Sequence, residues 1–328
     1  MSANISIFVP HNGCPNMCSF CNQFAITKHV KQPTEKDVDE AVAVAIASKN
    51  YDSNNTEIAF FGGSFTAIDT DYMVELLKSA YKYVKKGQVC GIRVSTRPDA
   101  IDSDVLSLLK KYGVTTIELG AQCMCDDVLI ANNRGHLSLD VVQSSNLIKQ
   151  NGFKLGLQMM TGLYQDSDDK SIETCRFFIK LKPDFVRIYP TVVLKNTMLE
   201  ALFNSGKYSP QSVDSAARLC AKLLNEFNDA NIPVIRLGLH SIDTDEYVAG
   251  PWHSAFGEIC ESMIVLDKLN NLITKSGNYN VYVHPAMHSK TVGHNKSNLN
   301  ALGEKNIFIK VISDVNCNKG QIKIEEVR

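Results

Sequence analysis

Seven short apolar runs alternate with helical patterns along the chain up to about residue 240. The runs lie at 5–9, 57–61, 91–95, 115–120, 154–160, 184–189 and 233–237. Amphipathic patterns lie at 34–48, 71–86, 103–112, 139–150, 170–181 and 211–230, and in the first of them Thr34 is the expected N-cap with Asp37 three residues later. Strand–helix alternation implies a parallel sheet with right-handed crossovers. The number of units favours an incomplete TIM-like barrel over a two-faced Rossmann sheet.

The pattern changes after about residue 250. A helical segment at 255–274 precedes apolar runs at 280–284, 307–312 and 321–327. The last two runs flank a polar stretch with a Lys-Gly pair, which predicts a hairpin. We therefore predict an α/β protein: a partial (β/α)6 barrel over residues 1–249, and a small α+β extension over residues 250–328 that packs on the barrel.

Composition argues against several classes of protein. The net charge of -1 over 328 residues lacks the strong positive balance of many nucleic-acid-binding proteins. The apolar runs are far shorter than a membrane span, and the N-terminus has no basic region followed by an apolar stretch. The 10 cysteines fit reduced thiols better than a disulfide framework. We expect a cytoplasmic protein.

Three cysteines directly follow the first strand, where parallel barrels place their ligand sites. Cys14, Cys18 and Cys21 have the spacing Cys-x3-Cys-x2-Cys, and three thiols cannot all pair as disulfides. Three thiolates can hold three corners of a [4Fe–4S] cluster and leave the fourth iron open to a chelating ligand. The alternative is a structural zinc site, whose fourth ligand would have to be His11 or His29.

The cysteine spacing resembles the signature of the radical SAM superfamily, in which an aromatic residue commonly precedes the third cysteine, as Phe20 does here. The segment FFGGSFT then places Gly62, Gly63 and Ser64 at the end of the second strand, where backbone groups are expected to contact S-adenosylmethionine. The resemblance implies an enzyme whose cluster passes one electron to S-adenosylmethionine. The 5′-deoxyadenosyl radical that results abstracts hydrogen from a substrate. A reductant such as flavodoxin or ferredoxin is implied as well.

Longer segments resemble the radical SAM half of the elongator catalytic subunit, the enzyme that modifies the wobble uridine of tRNA. They lie at 91–101, 117–136 and 187–208, and the resemblance extends over residues 5 to 240. The resemblance implies cofactor contacts for Gln122, for Arg134 at the carboxylate of S-adenosylmethionine, and for Gln158 at its ribose. Ser95 stands where relatives usually carry Glu. The alternative for these residues is a surface charge or a polar side chain satisfied within the protein.

Substrate contacts are expected near the ends of the late strands and in the C-terminal region. The candidates are Tyr189, Lys195, His240, His253 and Glu258, with Lys290 and Lys296 as phosphate contacts. The length of the chain predicts that it lacks the acetyltransferase domain of the elongator subunit. The first substrate class expected is RNA, especially tRNA. The alternatives are a porphyrin or other small molecule, as in coproporphyrinogen oxidases, and a non-catalytic binding protein that retains the cluster.

Overall fold

The computed structural model describes residues 3–10, 18–22, 31–239 and 244–327. The chain divides into two compact units, residues 1–211 with 226–252, and residues 212–225 with 253–328. The predicted domains, 1–249 and 250–328, differ from these units mainly in the helical segment around 212–225. The placement of a domain boundary at residue 250 stays a prediction.

Seven strands in the described part of the first unit form one sheet in which every neighbouring pair is parallel. They are β1 (Ala3–Val9), β2 (Thr56–Gly62), β3 (Gly91–Thr96), β4 (Val114–Gln122), β5 (Lys154–Thr161), β6 (Phe185–Pro190) and β8 (Val234–Leu237). Their order in the sheet is their order in the chain, with β1 and β8 at the edges. The intervening β7 (Val193–Leu194) pairs with β9 (Tyr247–Ala249) in a separate antiparallel ribbon. This half-barrel confirms the predicted partial TIM-like fold.

Helices connect the strands and follow the predicted amphipathic patterns closely. They are α1 (Glu35–Ile46), α2 (Thr70–Lys85), α3 (Ser103–Lys111), α4 (Asp126–Ala131), α5 (Ser138–Gln150), α6 (Asp168–Leu181), α7 (Met198–Asn204) and α8 (Val213–Asp229). At the start of α1, the Asp37 carboxylate accepts hydrogen bonds from the Thr34 N–H at 2.7 Å and from its hydroxyl at 2.6 Å. The short helices α4 and α7 were not predicted, because two turns or fewer carry too few apolar positions to show a helical period.

Each barrel strand separates an apolar face from a polar one. Residues such as Ile58, Ile92, Ile117, Leu157 and Ile188 are completely buried. The alternate positions carry Glu57, Arg93, Glu118, Gln158 and Arg187, and the period of two places them on the opposite, inward face of the sheet. The apolar face forms the core beneath the helices, so the barrel interior is the polar side of the sheet.

The C-terminal unit is built around a three-stranded sheet. Its elements are α9 (Phe256–Leu272), β10 (Gly277–Val283), α10 (His288–Val292), α11 (Ser297–Gly303), β11 (Ile307–Ser313) and β12 (Ile322–Val327). The strand order is β11-β10-β12, with β10 parallel to β11 and antiparallel to β12. Val265, Leu269, Val281 and Leu302 form part of its core. This sheet confirms the predicted α+β extension.

The predicted hairpin between the last two strands is wrong, because β10 lies between them. Tyr279, Val281 and Val283 on β10 are all buried, as expected of a central strand, whereas most of β12 is exposed. The helical connection through α10 and α11 returns the chain to lie parallel to β10. No helix among the described residues is both long and apolar enough to cross a membrane.

Candidate functional site

The described part of the cysteine segment forms a tight turn that is fixed by distant parts of the chain. The Cys21 N–H donates to the Cys18 carbonyl at 3.1 Å. Between them, the Ser19 N–H donates to the Asn132 carbonyl at 3.1 Å, and the Leu199 N–H donates to the Ser19 carbonyl at 2.8 Å. The third predicted ligand, Cys14, lies outside the described residues. Cys18 and Cys21 are both half-buried.

Asn132, which the sequence analysis missed, connects α4 to the cysteine turn. Its side chain is completely buried; its amide donates to the Val128 carbonyl at 2.8 Å and to the Tyr164 carbonyl at 2.9 Å. Its carboxamide oxygen accepts a hydrogen bond from the Ser19 hydroxyl at 2.5 Å. The signal that could have revealed it is the Asn-Asn pair after an apolar helical segment, since Asn is favoured at helix C-termini. Asn133 has the left-handed φ of 53° that this signal predicts.

Phe20 anchors the same turn in apolar surroundings. It packs against the buried cluster of Cys123, Val128, Leu129 and Leu163, and also against a second cluster that includes Leu199. This packing gives Phe20 a structural role in holding the turn. A contact between Phe20 and a cofactor stays a prediction.

Arg134 reaches from the loop after α4 to the cysteine turn. One terminal nitrogen, Nη1, donates to Cys18 Sγ at 2.8 Å, and the other, Nη2, donates to the Gly120 carbonyl at 2.6 Å. The guanidinium carbon lies 5.8 Å from the centre of the Phe20 ring. The side chain is buried, with the residue only 6% exposed. The structure therefore brings Arg134, Cys18 and Phe20 together as neighbours.

Gly62 is required where the ends of β1 and β2 approach each other. Its φ is +114°, and a Cβ at this position would lie 2.7 Å from the Val9 carbonyl oxygen. The Gly63 N–H donates to the same oxygen at 2.9 Å. Ser64, which is buried, begins the 3-10 turn Phe65–Ala67. Cofactor contacts by Gly62, Gly63 and Ser64 stay predictions, and the close backbone approach that the structure has here is between the two strands.

Several buried polar atoms near the ends of β3 and β4 have no hydrogen-bond partner within the described part of the protein. They are Ser95 Oγ, Gln122 Oε1, Arg134 Nε and His136 Nδ1. Gln122 has a left-handed φ of 67° and follows a break in the β4–β5 register, so its side chain is redirected relative to a regular strand. A buried polar atom without a partner is costly, which makes such a group a candidate ligand contact.

Two of these residues, Gln122 and Arg134, approach Gly120, another residue that the sequence analysis did not single out. A Cβ at Gly120 would lie 3.0 Å from Gln122 Nε2, 3.6 Å from Arg134 Nη2 and 3.6 Å from the Thr96 carbonyl oxygen. The absence of a side chain lets Gln122, Arg134 and the end of β3 approach this residue closely at the carboxyl-terminal edge of the sheet.

His136 adds a neutral acceptor to this group. Its Nε2 lies 3.2 Å from the Ala121 carbonyl oxygen, so this nitrogen carries the proton and Nδ1 is left as an acceptor. Burial, together with the nearby charge of Arg134, lowers the pKa of His136 to about 4. The imidazole is therefore uncharged at neutral pH.

Gln158 belongs to a buried network of charges on the inward face of the barrel. Arg93 donates to Glu57 at 2.6 Å and to Glu118 at 2.7 Å, and Arg187 contacts Glu118 at 2.9 Å. The Gln158 amide donates at 3.0 Å to Glu118 Oε2, the oxygen that Arg187 Nε also contacts. Sequence analysis missed the charged members, although their alternation with apolar residues on the strands is a readable signal. Gln158 has a protein partner, and its contact with the ribose stays a prediction.

The substrate-side candidates lie in different parts of the chain. Burial raises the pKa of Tyr189, which neighbours Arg187. The exposed Lys195 connects through its backbone to the cysteine segment, because its carbonyl accepts a hydrogen bond from the Asn22 amide at 2.9 Å. His240 lies outside the described residues. The roles of Tyr189, Lys195 and His240 in substrate binding stay predictions.

The remaining candidates belong to the C-terminal unit. The His253 ring accepts a hydrogen bond from the Ala255 N–H at 3.0 Å, and it packs edge-on against His294. Glu258 lies in the first turn of α9. Lys290 pairs with Glu261 at 2.6 Å, so part of its charge is compensated within the unit. Contacts of His253, Glu258 and Lys290 with a substrate stay predictions.

Protein-family models and curated relatives match the part of the chain that forms the barrel. The radical SAM superfamily model matches residues 8–178, and the model of the radical SAM C-terminal domain matches residues 183–265. The chain is 26% identical over 230 residues to the tRNA uridine(34) acetyltransferase of Dehalococcoides mccartyi, covering 60% of this chain and 50% of that protein. It is 30% identical over 191 residues to human Elongator complex protein 3, covering 52% of this chain and 35% of that protein. The chain thus spans half or less of these relatives' length.

Solved structures share the fold. The archaeal Elp3 of Methanocaldococcus infernus, with an N-terminal deletion, superimposes with a TM-score of 0.63 at 18% identity, covering 82% of this chain and 63% of that chain. SuiB of Streptococcus suis superimposes with a TM-score of 0.51 at 14% identity, covering 73% of this chain and 50% of that chain. At these identities the similarity shows the fold alone. Since one family model spans more than half of the sequence over the barrel strands and the cysteine segment, this chain belongs to the radical SAM superfamily.

Proposed function

We propose that this radical SAM enzyme cleaves S-adenosylmethionine reductively at a [4Fe–4S] cluster and uses the reaction to modify tRNA. The observation that carries the cofactor assignment is the set of buried polar atoms without partners near the ends of β3 and β4, one of which belongs to Arg134, the residue that contacts Cys18. Ser95, Gln122 and Arg134 contribute a hydroxyl, a carboxamide oxygen and a guanidinium N–H to this set. These groups fit a ligand that offers a carboxylate, an ammonium group and ribose hydroxyls.

Cys14, Cys18 and Cys21 would hold the cluster, which when bound supplies the single electron for the cleavage. The other residues of the site would position the cluster ligands and S-adenosylmethionine. The Asn132 contacts hold the turn that carries Cys18 and Cys21. His136, uncharged because of its burial, offers an acceptor for a hydroxyl or ammonium proton.

The names of the relatives support tRNA as the substrate class. The relatives matched across the barrel include proteins named tRNA uridine(34) acetyltransferase and Elongator complex protein 3. The net charge of -1 limits nonspecific attraction to phosphate. We therefore expect tRNA binding to be weak and salt-sensitive, with few phosphates neutralised. A reductant such as flavodoxin or ferredoxin would supply the electron.

The test combines metal analysis with an anaerobic activity assay. Protein prepared without oxygen should hold about four irons per chain, and Cys18→Ala should lose most of them. Purified protein is then incubated with dithionite, S-adenosylmethionine and either total tRNA or a porphyrinogen, and 5′-deoxyadenosine release is measured, with Cys18→Ala as the inactive control. Stimulation by tRNA supports the proposal. Stimulation by the porphyrinogen alone would contradict the substrate class, and stoichiometric zinc after iron–sulfur reconstitution would contradict the cluster.

A further inference from the structure

Arg134 holds a positive charge against a cysteine sulfur in a buried position. Its Nη1 is in direct contact with Cys18 Sγ, at 2.8 Å. In the described part of the chain, no carboxylate pairs with this guanidinium, although the residue is only 6% exposed. A buried charge without a counter-charge is strongly disfavoured. The contact therefore places a buried positive charge directly against a sulfur of the cysteine turn.

The guanidinium is held in place from three sides. Nη2 donates to the Gly120 carbonyl at 2.6 Å, the Phe20 ring lies beneath the guanidinium at 5.8 Å, and the Arg134 backbone N–H donates to the Leu129 carbonyl at 3.1 Å. Phe20 itself belongs to the turn that carries Cys18 and Cys21. The contact between Nη1 and Cys18 Sγ thus joins two segments that the Ser19–Asn132 hydrogen bonds already hold together, and little side-chain freedom remains to be lost when the sulfur becomes a ligand.

We propose that Arg134 is a positioning residue that sets the reduction potential of the cluster through its contact with the Cys18 sulfur. This inference rests on the proposed function, since it requires the cluster. Reduction adds one electron, and hence one negative charge, to a group that three thiolates already make negative. A guanidinium that donates to one of these sulfurs stabilises the reduced state more than the oxidised state and so raises the potential. The Nε–H without a partner remains available to S-adenosylmethionine.

A redox titration without S-adenosylmethionine separates this role from cofactor binding. The reconstituted parent, Arg134→Lys and Arg134→Gln are titrated anaerobically with dithionite, and the reduced cluster is measured by electron paramagnetic resonance. We expect Arg134→Gln to disfavour reduction about tenfold or more, which corresponds to a midpoint about 59 mV lower for a one-electron couple. The midpoint potential of Arg134→Lys should decrease less. An ammonium keeps the positive charge, but it cannot contact both Cys18 Sγ and the Gly120 carbonyl.

The control is Arg176→Gln, which removes an arginine whose side chain is 65% exposed on α6. It should leave the midpoint unchanged. Iron content is measured for every variant, so failure of the parent to hold a cluster would count against the proposed function and not against Arg134 alone. Unchanged midpoints in both Arg134 variants with a full complement of iron would overturn the inference, even if S-adenosylmethionine binding weakened. Folded Arg134 variants that both retain no iron would overturn it too, since Arg134 would then determine cluster binding rather than potential.

Discussion

At the residue scale, burial decides the charge of His136. The side chain is 4% exposed, and the groups acting on it are the charge of Arg134, which lowers its pKa, and the Ala121 carbonyl, Asp99 and Asp140, which raise it. Burial has the largest effect, and the pKa falls to about 4 from 6.5. Between these two pH values the unfolded chain binds a proton that the folded chain excludes, so folding stability decreases as the pH falls.

We expect this linkage to appear as a pH-dependent difference between the parent and His136→Gln. Each pKa unit corresponds to about 1.4 kcal/mol, so the parent should lose about 2 kcal/mol more than the variant between pH 7 and pH 4.5. Urea unfolding at the two pH values measures the difference. His288→Gln, in the C-terminal unit where the ring contacts Ser313, is the control and should follow the parent. Parallel pH profiles for parent and His136→Gln would contradict the lowered pKa of His136, because they would mean that the folded and unfolded chains bind its proton equally.

At the scale of elements, the C-terminus of α4 organises the cysteine turn. Asn132 makes side-chain hydrogen bonds to Ser19, Val128 and Tyr164. We expect Asn132→Ala to lower the free energy of unfolding by about 1–3 kcal/mol, because buried carbonyls lose their donor. It should also speed iron loss from the reconstituted protein, because the Ser19 contact next to Cys18 is removed. Urea unfolding and the rate of iron release to a chelator measure the two effects.

The matched control is Asn151→Ala. Asn151 is the C-cap of α5, and its amide donates to the Leu147 carbonyl at 2.8 Å, but it makes no contact with the cysteine segment among the described residues. It should lower stability without changing iron release. Equal rates of iron release for the two variants would mean that the α4 contact does not hold the turn.

At the scale of the whole barrel, four charged side chains from β2, β3, β4 and β6 join strands that are far apart in the chain. Burial would raise the pKa of Glu57, yet the charge of Arg93 and hydrogen bonds from Thr116, Arg93 and Thr115 lower it overall. Glu118 is completely buried and contacts both arginines of the network. Glu57 and Glu118 together therefore compensate the two arginine charges inside the barrel, and Glu118 is the carboxylate that pairs with Arg187.

We expect Glu118→Gln to lower the free energy of unfolding by about 3–5 kcal/mol, because it leaves buried arginine charge without a counter-charge. Urea unfolding measures the loss. The exposed pair of Asp214 and Arg218, with side chains 64% and 67% exposed, provides the comparison, and Asp214→Asn should cost about 1 kcal/mol or less. A loss of similar size in both variants would show that the network contributes no more than a surface ion pair.

The sequence by itself determined the parts of this protein that depend on short-range order. Strand and helix positions were predicted from periods of two and 3.6 residues, because the apolar face of each element repeats locally. The Thr34–Asp37 cap and the cysteine spacing are likewise local patterns, and the superfamily prediction that rested on the cysteine spacing is confirmed. The hairpin prediction failed because adjacency in sequence does not require pairing, and β10 occupies the position between β11 and β12.

Only the tertiary structure decided which polar groups meet. Arg134 and Cys18 are 116 positions apart, and Ser19 and Asn132 are 113 apart, so no local pattern relates them. The charge network depends on the register of parallel strands, which aligns Arg93 with Thr116 and Glu118 with Gly156. Each of these contacts follows from closing long loops between strands whose order and register are set by packing of the whole sheet. The residues next to a side chain in the sequence do not determine that register. The partners of Arg134, Gln158 and Asn132 could therefore be identified only from the fold.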